Sequence, residues 1–296
     1  MKIGLIGLPK SGKTTLFNLL TGAHVATARY DTGRAELHTG VARVPDPRRD
    51  IVDLETELLL ADLEVVDRRL ERLAASIKRQ RKEAEVREQG ILLRCKAELE
   101  QETPLRAVAL TPDDDKAIRG FTFLSQKPIL HCVNVAEKDL ADGPRAADRY
   151  ALADVTARPR TRVGWVSAVI EMEVAQLAGE EQQAFLADLG LEEPAIHRVL
   201  SDCFALLGLI SFFTVGEDEV RAWPIPEGTR AQEAAGTVHS DIARGFIRAE
   251  VNSYDELVAV GGAFADLRAK GQLRLEGKDY VVRDGEVCHF RFNVGK

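Results

Sequence analysis

The stretch GLPKSGKTTLFN at residues 7–18 restricts the fold of this chain more than any other feature. It follows an apolar run, which predicts a buried strand at residues 2–6, and it leads into a predicted helix that begins at Lys13. The form G-x-x-x-x-G-K-T between a strand and a helix is typical of a phosphate-binding loop. Backbone N–H groups from Lys10 to Thr15 can point at an anion, where the helix dipole also favours negative charge. The pattern predicts an α/β domain that binds a nucleoside triphosphate.

Individual residues of this loop have distinct expected roles. Gly7 allows a tight exit from the strand, and Gly12 lets the backbone approach the phosphates. Lys13 is expected to neutralise the β- and γ-phosphates, and the hydroxyl of Thr14 is expected to coordinate Mg²⁺. The predicted phosphate cradle comprises Gly7, Pro9, Lys10, Ser11, Gly12, Lys13, Thr14 and Thr15.

A second short segment is expected to contact the base. The run PILHCV predicts a strand of a parallel sheet and leads into Asn134, Val135 and Glu137. GTPases read guanine through Asn-Lys-x-Asp, and here Val and Glu replace the Lys and the Asp. A carboxylate arranged for guanine is badly matched to adenine, so the change indicates relaxed or adenine-favouring specificity, with ATP or GTP as the ligand. Ser167 and Ala168, at the end of the next predicted strand, fit the loop that closes over the base, whereas Glu137 could instead be a solvated loop charge.

The segment from Asp53 to Gln101 has a different character, with no proline, one glycine and dense mixed charge. Gly90 and the polar run KRQRKEAEVREQ contain the predicted turn, and Leu92, Cys95 and Leu99 continue an apolar stripe on a returning helix. The segment therefore predicts an antiparallel helical hairpin. Its seam repeats at alternating steps of four and three residues: Leu59, Leu63, Val66, Leu70, Leu73 and Ile77.

Basic side chains are concentrated in the distal part of this predicted hairpin. They suit contact with a phosphate backbone, and the members are Lys78, Arg79, Arg81, Lys82 and Arg87. An exposed helix face is the alternative interpretation, with i,i+4 pairing to Glu83, Glu85 and Glu88.

The composition limits the kinds of partner that the chain is expected to bind. The chain has 296 residues and a net charge of −7, so any RNA contact needs a local basic patch, and sequence-specific DNA binding is not expected. No apolar run approaches the roughly 18 residues of a membrane span, so no membrane association is expected. The four cysteines lack C-x-x-C spacing, which indicates reduced cysteines in a cytoplasmic protein.

After Leu209 the pattern changes to short alternating strands bounded by Gly, Asp-Gly or Pro. This pattern predicts a separate C-terminal domain of mixed α+β type. Its exposed cations are candidates for RNA or protein contact, namely Arg274, Lys278, Arg283 and Arg291.

Taken together, these motifs resemble the YchF subfamily of Obg-related P-loop ATPases. The likeness is carried by GLPKSGKTTLFN, VARVPDPR, ETELLLADLEVVDRRLERL, KPILHCVNVAE and, above all, the C-terminal block from LGLISFFTVGEDEVRAWPIPEGTR to GKDYVVRDGEVCHFRFNVGK. That block resembles the family's TGS domain, a β-grasp module. The resemblance implies a P-loop domain interrupted by a helical hairpin, a preference for ATP over GTP, Mg²⁺ dependence and association with ribosomes.

One departure from the family concerns the nucleotide switch. Between Val41 and the hairpin there is no Asp-x-x-Gly, the segment whose Asp supports Mg²⁺ and whose Gly senses the γ-phosphate. Two sheet strands of the family are missing with it, so apolar sheet edges are expected to be exposed. The family's second Mg²⁺ contact aligns with Arg34, or alternatively with Thr32. A segment omitted from the printed sequence and an internal deletion in the gene both remain open, with the junction near Asp46–Asp50.

The predicted fold is an incomplete α/β P-loop domain at residues 1–50 and 125–205, an inserted helical hairpin at 51–124, and a TGS-like β-grasp domain at 206–296. The predicted function is ATP binding, with slow hydrolysis, in a ribosome-associated protein. Because Asp-x-x-Gly is absent, no catalytic residue can be assigned and hydrolysis is expected to be near background. The alternatives are a GTPase of the wider Obg group and a non-hydrolysing ribosome- or RNA-binding module with a crippled nucleotide site.

Overall fold

Two long helices and a two-stranded parallel sheet dominate the described part of the N-terminal unit, Met1–Leu206, and a five-stranded sheet forms the C-terminal unit, Leu207–Lys296. The computed structural model describes residues 3–7, 11–21, 46–216, 219–262 and 264–293.

The N-terminal unit contains nine α-helices and two strands within these residues. They are α1 Lys13–Thr21, α2 Pro47–Arg79, α3 Glu83–Glu100, α4 Pro112–Ile118, β1 Ile129–Asn134, α5 Ala146–Arg149, α6 Ala153–Thr156, β2 Thr161–Val166, α7 Ala168–Val174, α8 Gly179–Asp188 and α9 Ala195–Leu206. Short 3₁₀ helices lie at Leu105–Ala107, Arg119–Phe121 and Glu137–Arg145.

Helices α2 and α3 form the predicted antiparallel hairpin, joined by a turn at residues 80–82. Gly90 lies inside α3, so the part of the prediction that associated it with the turn is wrong. The apolar seam is confirmed, because its side chains are buried in one cluster with those of the returning helix: Leu59, Val66 and Leu73 against Leu92, Cys95 and Leu99.

Helix α2 begins before the predicted start of the hairpin. The side chain of Asp46 accepts hydrogen bonds from the backbone N–H groups of Arg48 and Arg49, which caps the helix. Ile51, in the next turn, is 8% exposed and packs in the core that contains Val133 and Leu140. The first turns of the hairpin helix are therefore part of the core around the sheet.

The parallel sheet consists of β1 and β2 alone within the described residues, with Asn134 opposite Val166 at its carboxyl end. The strand predicted at residues 2–6 is wrong as far as residues 3–6 show, because they form no strand. A strand needs a hydrogen-bonded neighbour, and none of the described strands pairs with residues 3–6. Ile6 is accordingly 55% exposed.

The segment that follows β2 forms two helices. Helix α7 ends at Val174, and α8 starts at Gly179, whose φ of +57° lies in the left-handed region. Glycine adopts this conformation without a steric penalty, so the chain can change direction between the two helices.

The C-terminal unit is a mixed sheet with helices, as expected for an α+β domain. Strand order is β4-β3-β7-β5-β6, with β3 parallel to β7 and the remaining neighbours antiparallel. The elements are β3 Leu209–Val215, β4 Val220–Pro226, α10 Ala231–Val238, α11 Ser240–Arg244, β5 Phe246–Ser253, α12 Tyr254–Ala259, α13 Phe264–Ala269, β6 Arg274–Glu276 and β7 Glu286–Phe292. One sheet face buries Phe212, Val251 and Phe290 together with Ala234 of α10.

Across the described ranges, no helix combines the length and the apolar character that a membrane span requires.

Candidate nucleotide-binding site

Gly12 lies where the phosphate-binding loop meets the segments predicted to contact the base. Its φ is +91°, and a Cβ built on it would lie 3.3 Å from Asn134 Nδ2 and 3.5 Å from the Cβ of Ala168. The positive φ therefore favours glycine, and the short approach to Asn134 leaves little room for a side chain. Three predicted site residues, distant in sequence, are brought together at this point.

Lys13 is the first residue of α1, and its Nζ donates a hydrogen bond to the carbonyl oxygen of Gly7 at 2.8 Å. This contact folds the lysine back over its own loop. The ammonium group and the N-terminal N–H groups of α1 both favour an anion at this end of the helix.

Asn134 connects the two strands at their carboxyl ends. It is the last residue of β1, and its Oδ1 accepts a hydrogen bond from the backbone N–H of Ala168 at 3.1 Å. Parallel strands end at the same edge of a sheet, which is why Asn134 and Ala168 meet although they are 34 residues apart.

Ser167 carries a buried hydroxyl beside the carboxyl end of β2. The residue is 3% exposed, and its Oγ has no hydrogen-bond partner among the described residues. A buried hydroxyl without a partner costs free energy. Its position next to Ala168 fits a site that receives a polar group from a nucleotide.

Val135 and Glu137 have different environments. Val135 is 6% exposed, its side chain packs in the core with Leu140, and its N–H donates to Val166 O at 2.8 Å. Its side chain therefore serves the core rather than a ligand. Glu137 is exposed and begins the 3₁₀ helix that follows β1.

The metal ligands are only partly within the described residues. Thr14 is exposed near the start of α1, whereas Thr32 and Arg34 lie outside the described residues, as do Pro9 and Lys10. No cluster of three or more His, Cys, Asp or Glu side chains within the described ranges could hold a metal ion. The residues fit Mg²⁺ held mainly by nucleotide phosphates, since Mg²⁺ commonly keeps several waters and few protein ligands. The other loop residues are Ser11, which is exposed, and Thr15, which is half-buried.

A buried charged cluster links the hairpin to the sheet that carries Asn134. Arg106 Nη2 lies 2.5 Å from Glu55 Oε2, His131 Nε2 lies 2.9 Å from Glu55 Oε1, and Arg106 Nε donates to Thr161 Oγ1 at 3.1 Å. All four residues are at most 6% exposed. The cluster joins α2, the 3₁₀ helix after α3, β1 and β2.

Burial by itself would raise the pKa of the Glu55 carboxyl, but hydrogen bonds from His131 and Arg106 and the charge of Arg106 lower that pKa to about 2. Sequence reasoning missed this cluster, although a signal was present. Glu55 lies four residues before Leu59 and Asp62 three residues after it, so both are on the helix face that carries the seam. Asp62 is also buried, accepting from the N–H and the hydroxyl of Ser125 at 2.7 and 2.6 Å.

Two family profiles match the sequence. One, YchF-GTPase_C, is described as a protein of unknown function (DUF933) and matches residues 209–293. The other is described as a 50S ribosome-binding GTPase and matches residues 2–134.

Curated relatives match over nearly the whole chain. The ribosome-binding ATPase YchF of Bacillus subtilis (strain 168) is 35% identical over 363 residues, covering 98% of this chain and 99% of that protein. The protein of the same name from Escherichia coli O157:H7 is 33% identical and covers 99% of each chain. The solved structure of the Schizosaccharomyces pombe YchF GTPase has a TM-score of 0.69 and 27% identity, covering 88% of this chain and 69% of that one.

The lengths of these matches agree with the missing Asp-x-x-Gly segment. The alignment to the Bacillus subtilis protein runs over 363 residues and this chain has 296, so at least 67 aligned positions have no counterpart here. The shared sequence nevertheless spans both ends of the relative. Together with the loop at Gly12 and the Asn134–Ala168 contact, this likeness shows that the chain belongs to the YchF family of P-loop proteins.

Proposed function

We propose that this chain binds ATP in preference to GTP, with Mg²⁺, and associates with the ribosome in the cytoplasm. Nucleotide binding is supported above all by the convergence of Gly12, Asn134 and Ala168. The buried hydroxyl of Ser167, which has no partner in the part of the chain that the structure describes, lies beside them. Ribosome association is supported by the names of the relatives, ribosome-binding ATPase YchF.

Hydrolysis by this chain is proposed to be slow, near background. Efficient hydrolysis needs a γ-phosphate sensor and a positioned water, and the sequence lacks the Asp-x-x-Gly segment that supplies the first. The proposed activity is therefore nucleotide binding, with turnover as a minor component.

Competition between ATP and GTP for a fluorescent ATP analogue tests the base preference. ATP is expected to displace the analogue at lower concentration, because Glu137 replaces the aspartate that pairs with guanine. The matched variant Glu137→Asp shortens the carboxylate by one methylene and is expected to shift the preference toward GTP. A tenfold advantage of GTP over ATP in the unchanged chain would reverse the proposal.

The tip of the hairpin is the proposed ribosome-contacting part of the N-terminal unit. Four of the five exposed residues at 78–82 are cationic, and they include the turn between α2 and α3. Arg87, which the sequence grouped with them, lies 3.6 Å from Asp114 and 3.9 Å from Asp113. Lys82 lies 3.6 Å from Glu85, so the charge available to a phosphate backbone is mainly that of Lys78, Arg79 and Arg81, with Lys82 partly neutralised.

Neutralising the tip is expected to weaken ribosome binding. The variant Lys78→Gln/Arg79→Gln/Arg81→Gln/Lys82→Gln should co-sediment with ribosomes about tenfold less tightly at about 100 mM salt, with a weaker dependence on salt concentration. A control removes four exposed cations from elsewhere in the same unit, Arg49, Arg68, Arg72 and Lys116. Equal losses of ribosome affinity in the two variants would show that only net charge matters. That result would contradict a specific contact between the hairpin tip and the ribosome.

A further inference from the structure

Three arginines of the C-terminal unit surround one buried carboxylate. Glu250 on β5 is 1% exposed, and its oxygens lie 2.7 Å from Arg268 Nη2 and 3.1 Å from Arg291 Nη2. Arg248 Nη2 is 3.9 Å away, outside hydrogen-bond distance. The three side chains, named here the arginine cluster, remain 45% to 56% exposed.

The arginine cluster lies on the sheet face opposite to the core of the unit. Arg248 and Arg291 stand directly across from each other on β5 and β7, while their neighbours Ala249 and Phe290 are buried in the core. Side chains alternate between faces along a strand, so both arginines point away from that core. Like charges directly opposite each other destabilise a sheet, so cross-strand pairing does not account for Arg248, which lies 3.9 Å from Glu250.

Charge in the arginine cluster is not balanced. Over the described residues, Glu250 is the sole carboxylate that forms an ion pair with any of the three arginines. Burial alone would raise the pKa of Glu250, but the hydrogen bond from Arg291 and the charges of Arg291 and Arg268 lower it, so the carboxylate is ionised at neutral pH. One negative and three positive charges leave an excess of two positive charges at the surface.

We propose that the arginine cluster, Arg248, Arg268 and Arg291, is a binding surface for the phosphate backbone of RNA. A guanidinium carries five N–H donors in a planar fork that matches phosphate oxygens, and the contacts with Glu250 use few of them. Glu250 holds Arg268 and Arg291 in place, which reduces the entropy lost when they bind a ligand. The proposal rests on the proposed ribosome association, for which it names a contact surface in the C-terminal unit.

Sequence reasoning alone selected a different set of cations. Of its candidates, Arg274 donates to the carboxylate of Glu286 at 2.6 Å and to Tyr280 Oη at 3.1 Å, which makes it part of the structure of the unit. Arg291 is the one candidate of that set that belongs to the arginine cluster. Arg248 and Arg268 were not recognised, because the cluster forms only when β5, β7 and α13 come together.

The variant Arg248→Gln in the full chain is the decisive test, because it leaves both hydrogen bonds to Glu250 intact and folding is not at risk. Binding of a short fluorescein-labelled poly(U) strand is measured by anisotropy between about 50 and 200 mM KCl. Affinity is expected to fall about fivefold, and the slope of log affinity against log salt to fall by about 0.7, the value for one lost contact to a single strand. The variant Arg248→Lys, which keeps the positive charge, should lose less affinity for poly(U) than Arg248→Gln. Thermal unfolding should be unchanged.

The triple variant Arg248→Gln/Arg268→Gln/Arg291→Gln is compared with a control that removes three exposed arginines elsewhere in the unit, Arg221, Arg230 and Arg244. An Arg248→Gln affinity within twofold of the unchanged chain would overturn the proposal, as would equal losses in the triple variant and its control. Competition by polyglutamate as effective as that by RNA would overturn it in favour of an acidic protein partner. If the unchanged chain did not co-sediment with ribosomes but the variants still showed these effects on RNA binding, the proposed ribosome association would be contradicted. The role of the arginine cluster in RNA binding would still be supported.

Discussion

Replacing Arg106 with methionine is expected to lower the free energy of unfolding of the N-terminal unit by about 3–5 kcal/mol. Arg106 is 4% exposed, and it supplies the guanidinium that faces the Glu55 carboxylate. Removing one partner of a buried ion pair leaves the other charge desolvated, which costs more than the pair contributes. In the variant, His131 is the remaining hydrogen-bonding partner of the Glu55 side chain within the described residues.

Urea denaturation followed by tryptophan fluorescence measures this effect in one unit. The chain has two tryptophans, so a Trp223→Phe background leaves Trp165, in the core around β1 and β2, as the reporter. Arg94→Met is the matched control, because Arg94 pairs with Asp114 at 2.6 Å but is 55% exposed, and its loss should cost at most about 1 kcal/mol. The double variant Glu55→Gln/Arg106→Met should recover much of the loss, because no buried charge is stranded.

The pH dependence of the loss in free energy of unfolding caused by Arg106→Met provides a second measurement. In the unchanged protein the Glu55 pKa of about 2 is depressed, so the cluster contributes stability above the ordinary pKa of 4.5 and loses it as pH falls toward 2. Without Arg106, burial disfavours the ionised carboxylate, and the deficit should be largest near pH 7 and shrink in acid. A deficit below about 1 kcal/mol at pH 7 would contradict the role assigned to Arg106.

Lys13→Ala is expected to reduce ATP affinity about 100-fold, equivalent to about 3 kcal/mol. Lys13 reaches back to Gly7 O at 2.8 Å, so its ammonium lies over the loop that is proposed to receive the phosphates. Truncating a charged group that pairs with a buried phosphate typically costs 2–5 kcal/mol or more, whereas the single hydrogen bond to Gly7 contributes only about 1 kcal/mol to stability. The change should therefore affect binding far more than folding.

Equilibrium titration with a fluorescent ATP analogue gives the affinity, and thermal unfolding checks the fold. Lys270→Ala, which removes an exposed lysine from the C-terminal unit, is the control and should bind nucleotide as the unchanged chain does. Affinity of Lys13→Ala within threefold of the unchanged chain would contradict the proposed phosphate site. Nucleotide-dependent ribosome co-sedimentation should also be lost in this variant.

Local sequence patterns predicted the elements whose formation depends on near neighbours. The seam from Leu59 to Ile77 specifies a helix with one apolar stripe, and the stripe is buried against α3 as its period requires. The motif of the loop before α1 predicts glycine at position 12, where the backbone has a positive φ. Asn134 and Ala168, each predicted separately to lie near the base, are in contact because strands in a parallel sheet end at one edge.

Predictions failed where a distant partner decides the outcome. Residues 3–6 have the composition of a strand but form none, since composition does not supply a hydrogen-bonded neighbour. Ile51 reads as part of the hairpin, yet it packs in the core around the sheet.

By itself, the sequence determined the phosphate-binding loop, the helical hairpin, the mixed C-terminal sheet and the family, because each depends on short motifs or on periodicity. Tertiary structure alone decided which charges are paired. Glu55 meets Arg106 and His131 across 51 and 76 residues, and Glu250 meets Arg268 and Arg291 across 18 and 41. Coulomb energy depends on distance and burial in space, and neither can be read from separation along the chain.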